Sequence, residues 1–195
     1  MTHAHTHTQS KKLGMWLFLI SDTLTFSTFL VCYTYARLAN PTWPTPFEFS
    51  PAILTATLMT LILLTSSLTM VVAVQAMREG ERPVATRWLA ATILCGITFI
   101  MLHATEWRHL WQIEKVTLSS NPWGEPLFGA TFYALTGLHM LHVAGGVIYL
   151  SVIATAVWRG NFSTEDVETS GLYWHFVDLV WMFIFPFVYL MSVKI

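Results

Sequence analysis

The chain has 195 residues, of which 54% are hydrophobic and only 11% are charged, and its mean hydropathy is +0.55. Soluble domains carry about 25% charged residues, so this composition excludes an ordinary soluble globule and indicates a membrane protein. The formal net charge of −1 lacks the basic excess that a nucleic-acid-binding domain needs. Nucleic acid is therefore not expected as a partner.

Five apolar runs follow one another along the chain, and Pro, Gly and Asn residues mark the joints between them. A membrane-spanning helix needs about 20 mostly apolar residues, and each run is long enough. The sequence therefore predicts an all-α fold: a polytopic membrane bundle of five transmembrane helices behind a polar N-terminal tail. The expected limits are 1–12 for the tail and, within one membrane domain over 13–195, spans at 13–35, 51–77, 86–109, 128–158 and 170–192.

The basic residues predict how the bundle is oriented. Six of the ten Lys and Arg residues fall in segments on the same side as the N-terminus. Cytoplasmic segments of membrane proteins carry the excess of Lys and Arg. We therefore expect the N-terminus in the cytoplasm and, because the number of spans is odd, the C-terminus outside.

Ionisable side chains interrupt every span except the second, so we expect every span except the second to contribute a buried polar group. An Asp near the centre of a membrane helix costs roughly 2.5–3.5 kcal/mol on insertion scales, so such groups should face protein or water rather than lipid. We expect them to satisfy one another across the bundle. With one neighbouring tryptophan, the candidate site residues are Asp22, His103, Glu106, His139, His142, Trp174, His175 and Asp178.

The last span has the most specific polar pattern. His175 and Asp178 are three residues apart on a helix, close enough to pair. Trp174, Asp178 and Trp181 follow a spacing of four and three and so share one helix face. Another helix is expected to receive that face.

The fourth span carries small residues that permit close helix contact. They recur at spacings of four, three and eight, at Ala130, Ala134, Gly137 and Gly145. This stripe predicts the surface through which the fourth helix approaches its neighbours.

Two other interpretations of the buried polar groups are a haem or metal site and a proton-coupled transporter. Bis-histidine haem ligation needs two histidines on facing helices at one depth, and no His-x-x-x-His pair is present to bind zinc from one helix face. The pattern favours structural, hydrogen-bonded histidines. A transporter would use Asp22, Glu106 and Asp178 as a relay, but the sequence has no inverted repeat and no Gly- or Pro-broken helices in matching halves.

Several blocks of this sequence resemble subunit III of the haem-copper oxidases, the cytochrome c oxidase subunit III family. YWHFVD at 173–178 is similar to the signature of that family's last helix, LHATEW at 102–107 to a block of an earlier helix, and 128–146 to its helix 4 signature. The matches are colinear over most of the chain, and five helices resemble the short bacterial form. Asp22 stands where the family usually has Glu, and His103 where Gln is common.

The resemblance implies a non-catalytic subunit of a respiratory terminal oxidase, a complex that reduces oxygen to water and pumps protons. It implies no cofactor in this chain, with the haems and copper in partner subunits, and bound phospholipid. Subunit I would be the direct partner, with subunit II and membrane lipids, extending to a larger respiratory supercomplex in the bacterial inner membrane. The candidate polar residues would then line a lipid cleft or support proton uptake.

Three alternatives remain open at this point. An accessory protein of nitric oxide reductase and subunit III of a quinol oxidase share the same fold. A small haem-b membrane cytochrome belongs to a different class. Haem absorbance retained by the isolated chain would distinguish that cytochrome from a colourless oxidase subunit.

Overall fold

The computed structural model of the protein describes the backbone of residues 2–193 and the side chains of residues 11–193. Over this part of the chain the structure is helical, and the only strand-like feature is an isolated backbone bridge between Phe47 and Val193. Five helical segments are long and apolar enough to cross a membrane. The predicted all-α fold with five spans is confirmed.

The helices are α1 (Thr2–Ala39), α2 (Leu54–Arg78), α3 (Arg82–Gln112), α4 (Pro126–Trp158) and α5 (Thr164–Ile184). The backbone of α1 is helical from Thr2, eleven residues before the expected start of the first span at 13. The side chains of residues 1–10, on which the expected polar tail largely rests, lie outside the described part. Helices α2, α3 and α4 begin and end within about four residues of the predicted limits, whereas α5 begins at Thr164 rather than at 170 and ends at Ile184 rather than at 192.

Local sequence explains where the later helices begin and end. The backbone N–H of Ser163 donates to the Asp166 carboxylate at 3.1 Å, a capping box that starts α5 six residues before the predicted limit. Pro186 has no backbone N–H to continue an α-helix. The chain accordingly changes to a π-helical turn at Phe185–Tyr189 and a 3-10 turn at Leu190–Ser192.

Four of the helices form a ring, in which α2 and α4 each pack against both α3 and α5. Helix α1 lies outside this ring and packs mainly on α4 and α5. We call the end with the start of α1 and the turns at 79–81 and 159–163 the proximal end. The distal end contains the segments 40–53 and 113–125 and the residues that follow α5.

The centre of the ring is built around Trp174, which is completely buried. A Cβ atom at Gly96 would lie 2.6 Å from Cη2 of Trp174, and one at Gly146 would lie 2.9 Å from its Cζ3. Both distances are too short for any larger residue. The indole of α5 therefore wedges between glycines of α3 and α4, and these two glycines set the distance between the helices.

Candidate functional site

An acid–base pair joins α1 to α4. Asp22 Oδ2 lies 3.0 Å from Nε2 of His142, and the other ring nitrogen, Nδ1, lies 2.8 Å from the backbone carbonyl of Leu138. The side chains of Asp22 and His142 are 16% and 18% exposed. Phe26 covers one side, with its ring centroid 5.1 Å from that of the imidazole. Two predicted site residues that are 120 positions apart in the sequence therefore form one site.

The hydrogen bonds of this pair define its chemistry. A backbone carbonyl only accepts, so Nδ1 of His142 carries a proton that it donates to Leu138. The contact between Nε2 and Asp22 then holds one further proton. That proton lies either on the imidazole, which gives an ion pair, or on the carboxyl group, which gives two neutral partners. The pair thus shares a single proton at the α1–α4 contact.

Glu106 forms a second polar contact near the distal end. The Tyr189 hydroxyl donates to Oε2 of Glu106 at 2.9 Å. Oε1 of the same carboxyl group is buried and has no hydrogen-bond partner in the described part of the chain. Glu106 therefore has a structural partner on one oxygen and an unsatisfied acceptor on the other.

His103 and His139 are fully buried on facing helices and share an aromatic surround. The Trp181 ring lies 5.5 Å from the His103 ring and 5.1 Å from the His139 ring, and Phe99 lies 5.6 Å from each. Nε2 of His139 donates to the carbonyl of Val177 at 3.1 Å. Aromatic rings thus pack closely around both imidazoles.

The described residues contain no group of three or more His, Cys, Asp or Glu side chains that could hold a metal ion. The expectation that the buried histidines are hydrogen-bonded is wrong for His103, because neither of its ring nitrogens has a hydrogen-bond partner in the described part of the chain.

Helix α2 receives the polar face of α5, which the sequence analysis did not foresee. The indole N–H of Trp174 donates to Ser66 Oγ at 2.9 Å, and that of Trp181 donates to Thr60 Oγ1 at 3.0 Å. His175 Nδ1 lies 2.7 Å from Ser67 Oγ. The expectation that α2 contributes no buried polar group is therefore wrong. The sequence does not indicate these hydroxyls as partners, because Ser and Thr are uncharged and often bond to their own helix. Ser66, for example, donates to the carbonyl of Leu63.

The predicted pairing of His175 with Asp178 is also wrong. His175 turns to Ser67 instead, and both carboxyl oxygens of Asp178 are buried without a hydrogen-bond partner in the described part of the chain. Asp178 is 5% exposed and shares the buried face of α5 with Trp174 and Trp181, as the spacing predicted. The face was correctly identified, but the partner of the histidine was not.

The structure thus separates the eight predicted site residues into distinct places. Asp22 and His142 form the acid–base pair, Glu106 bonds to Tyr189, and the other candidates lie in the ring core or against α2. No single cleft brings all eight together. Five spans with buried polar groups at helix contacts define the class: a polytopic membrane protein whose polar core is built from helix-to-helix pairs.

Comparison with known proteins identifies the family. The family model for cytochrome c oxidase subunit III matches residues 1–193. Cytochrome c oxidase subunit 3 of Alkalihalophilus pseudofirmus is 34% identical over 188 residues, 95% of this chain and 88% of the relative. The protein of the same name from Bacillus subtilis is 35% identical, over 94% of this chain and 87% of the relative. The chain belongs to the cytochrome c oxidase subunit III family.

A relative with a different electron donor in its name matches almost as well. Cytochrome bo(3) ubiquinol oxidase subunit 3 of Pseudomonas aeruginosa is 32% identical over 198 residues, 97% of this chain and 89% of the relative. The family resemblance found in the sequence is thus confirmed.

Proposed function

We propose that this chain is the non-catalytic subunit III of a respiratory haem-copper terminal oxidase, which reduces oxygen to water and pumps protons. Haems and copper would reside in partner subunits, with subunit I in direct contact, subunit II in the same complex, and a larger respiratory supercomplex as the outer assembly. The protein would lie in the bacterial inner membrane, with its N-terminus in the cytoplasm and phospholipid bound to it. The family membership and the five spans support this proposal.

The single observation that carries the mechanistic part is the 3.0 Å contact between Asp22 and His142. This pair would hold one exchangeable proton inside the membrane. Both side chains are partly exposed, so the proton could be reached from outside the bundle. We propose that it supports proton uptake by the oxidase during turnover. Asp22 has a shorter side chain than the Glu that is usual in the family. Its carboxyl group would still serve as the acid, because it lies within hydrogen-bond distance of His142 on α4.

The first experiment is gentle purification of the tagged native complex, followed by an optical spectrum and identification of the co-eluting chains. An oxidase subunit should co-elute with haem- and copper-bearing subunits and should be colourless once separated from them. Haem absorbance retained by the isolated 195-residue chain would instead favour the small haem-b cytochrome. Oxidation of quinol rather than cytochrome c by the purified complex would identify the quinol-oxidase type.

The proton role is tested with Asp22→Asn, which can still hydrogen-bond to His142, because the Asn amide N–H donates to Nε2, but which removes the acid. We expect normal assembly, judged by the ratio of haem to this chain, and an active lifetime during sustained oxygen consumption shortened several-fold. Asp22→Glu restores a carboxyl group and should recover most of that lifetime. Failure of Asp22→Asn to assemble would make the pair a structural contact and refute the proton role.

A further inference from the structure

The signature YWHFVD at 173–178 begins with Tyr173, a residue that the proposed proton role does not use. The next two residues of the motif, Trp174 and His175, bond to helix α2, whereas the Tyr173 hydroxyl reaches α4. It donates to the backbone carbonyl of His142 at a distance of 2.9 Å. Helix α5 thus bonds to the residue whose imidazole forms the acid–base pair.

A second hydrogen bond joins α4 and α5 about one turn away, in the opposite sense. Nε2 of His139 donates to the backbone carbonyl of Val177 at 3.1 Å. Each helix therefore donates from a side chain to the backbone of the other. Because the bonded positions rise along α4 and fall along α5, the two bonds fix the register of these antiparallel helices at the level of His142.

The turn of α4 that follows His142 needs such support. It contains Gly145 and Gly146, and glycine loses more conformational freedom on folding than any other residue, which weakens a helix. The glycines also make room for Tyr173. A Cβ at Gly146 would lie 3.1 Å from Cε1 of the tyrosine ring, and one at Gly145 would lie 3.8 Å from its hydroxyl oxygen. The tyrosine therefore packs on the glycine-containing turn and bonds to the residue at its start.

Three contacts determine the direction of the His142 imidazole. Nδ1 donates to the Leu138 carbonyl, Phe26 lies against the ring, and Tyr173 holds the backbone from which the side chain extends. With these contacts made, Nε2 points at Asp22, which α1 supplies from outside the ring of four helices. The 3.0 Å contact between Asp22 and His142 thus depends on where the His142 backbone is held.

The Tyr173 hydroxyl is not itself a carrier of the shared proton. A carbonyl oxygen only accepts, so the tyrosine proton is held in the bond to the His142 backbone. The ionisable side chains beside the pair are Tyr173 on α5 and His139 on α4. Both donate to a backbone carbonyl of the neighbouring helix, so both act on the geometry of the pair.

We propose that Tyr173 is the positioning residue of the Asp22–His142 pair. Its hydroxyl holds the turn of α4 that carries His142, and so keeps Nε2 within hydrogen-bond distance of the carboxyl group on α1. This inference rests on the proposed proton role where activity is concerned, but the imidazole can be observed without turnover.

The first test observes the His142 imidazole in the full-length chain in detergent, with isotopically labelled histidine nitrogens. Nuclear magnetic resonance resolves the ring nitrogens, and His142 is assigned as the signal missing from His142→Gln. We expect Tyr173→Phe, which removes only the hydroxyl, to shift the Nε2 signal because the hydrogen bond to Asp22 weakens. His175, which bonds to Ser67 on α2, should keep its signal and so report an intact fold.

The second test uses the native complex and its active lifetime during sustained oxygen consumption. Tyr173→Phe should shorten the lifetime about threefold, which corresponds to one interhelical hydrogen bond of average strength in a membrane protein. In the Asp22→Asn background the same substitution should have no further effect, because the pair that Tyr173 positions no longer holds the acid. The effects of a purely structural residue would instead multiply with those of Asp22→Asn.

Tyr133→Phe is the matched control. The Tyr133 hydroxyl also donates to a backbone carbonyl at 2.9 Å, that of Val116, but at the distal end and away from the pair. Its removal should leave the His142 signal and the active lifetime unchanged, with or without Asp22→Asn.

An unchanged His142 signal in Tyr173→Phe would overturn the positioning role, and so would lifetime losses of Tyr173→Phe and Asp22→Asn that multiply. If Asp22→Asn by itself leaves the lifetime unchanged, the proposed proton role fails. The His142 signal then decides the positioning role alone.

Discussion

Helices α1 and α5 both cross the bundle, but they are held in it by different forces. In the most apolar 18-residue window of α5, 44% of the residues are buried inside the protein, against 11% for α1. Helix α5 is fixed by close packing of its aromatic side chains in the centre of the ring. Helix α1 buries only a narrow stripe, at Leu19, Phe26, Tyr33 and Ala36, and makes polar contacts at separate points along a mostly exposed surface.

Those points occur at three levels. Lys11 and Lys12 form ion pairs with Asp166 and Glu168 at the proximal end, each at 2.9 Å. Asp22 meets His142 at mid-span. At the distal end Ser192 lies 3.0 Å from both the Tyr33 hydroxyl and Nη1 of Arg37. Most of the large apolar side chains on α1 remain exposed, including Leu13, Leu17, Ile20, Leu24, Val31 and Leu38.

The difference reflects the solvent in which these helices associate. Lipid tails are as apolar as leucine, so the burial of apolar side chains alone contributes little free energy to the association of membrane helices. Close packing against small residues and hydrogen bonds between helices stabilise their association. Helix α5 uses both, through Gly96, Gly146 and the α2 hydroxyls, whereas α1 combines its polar contacts with one narrow buried stripe.

The largest effect should follow from Trp174→Ala, which empties the centre of the ring. Truncating a buried Trp costs about 3–5 kcal/mol in the free energy of unfolding, and the Ser66 hydroxyl also loses its donor. Trp16→Ala on α1 is the matched control, because that indole is 52% exposed, and it should change stability little. Thermal unfolding in detergent measures both, and equal losses would break the distinction between the two helices.

The next effect should come from Gly146→Ala. Its new Cβ would lie 2.9 Å from the Trp174 ring, and overpacking of this kind costs about 1–3 kcal/mol. Gly145→Ala is the control one residue away, since its Cβ would meet only the Tyr173 hydroxyl at 3.8 Å. A larger loss of thermal stability for Gly145→Ala than for Gly146→Ala would contradict the helix rotation described here.

A smaller loss is expected from Ser66→Ala, which leaves the indole N–H of Trp174 buried without an acceptor. Such an unsatisfied donor costs about 1–3 kcal/mol, and the packing of the ring remains in place. Thr65→Ala is the control, because the Thr65 hydroxyl is exposed and bonds only to Leu61 of its own helix. If unfolding temperatures of the two variants agree, the hydrogen bond between α2 and α5 contributes nothing to stability.

The smallest effect should come from Lys12→Ala, which breaks the 2.9 Å contact with Glu168. Exposed ion pairs contribute about 0.2–1 kcal/mol, so the loss should be slight in dilute buffer. It should vanish in about 1 M salt, where charges are screened over about 3 Å. Arg87→Ala, on the exposed surface of α3, serves as the control. A loss that persists in high salt would mean that Lys12 acts through packing rather than charge.

The number of spans could be predicted because hydropathy is a local property of the chain. Each span is long enough to cross a membrane, and the start of α5 was misplaced only because its capping box lies in a polar segment. The stripe on α4 shows the limit of pattern reading. The spacing assigns Gly145 to the contact surface of α4, but the Trp174 ring packs against Gly146. One residue turns a helix by about 100°, and only the neighbouring helix decides which of two adjacent glycines faces it.

The sequence by itself determined the fold class, the five spans, the family and the residue types that must be shielded from lipid. Tertiary structure alone decided which of those groups meet, because the partners lie on different helices whose rotation and register no single span encodes. It paired Asp22 with His142 and gave His175 to Ser67 rather than Asp178. It also brought the Tyr189 hydroxyl to Glu106 near the distal end. Insertion into lipid follows from the apolar content of each span, whereas a polar site requires atoms of several helices within about 3 Å of one another.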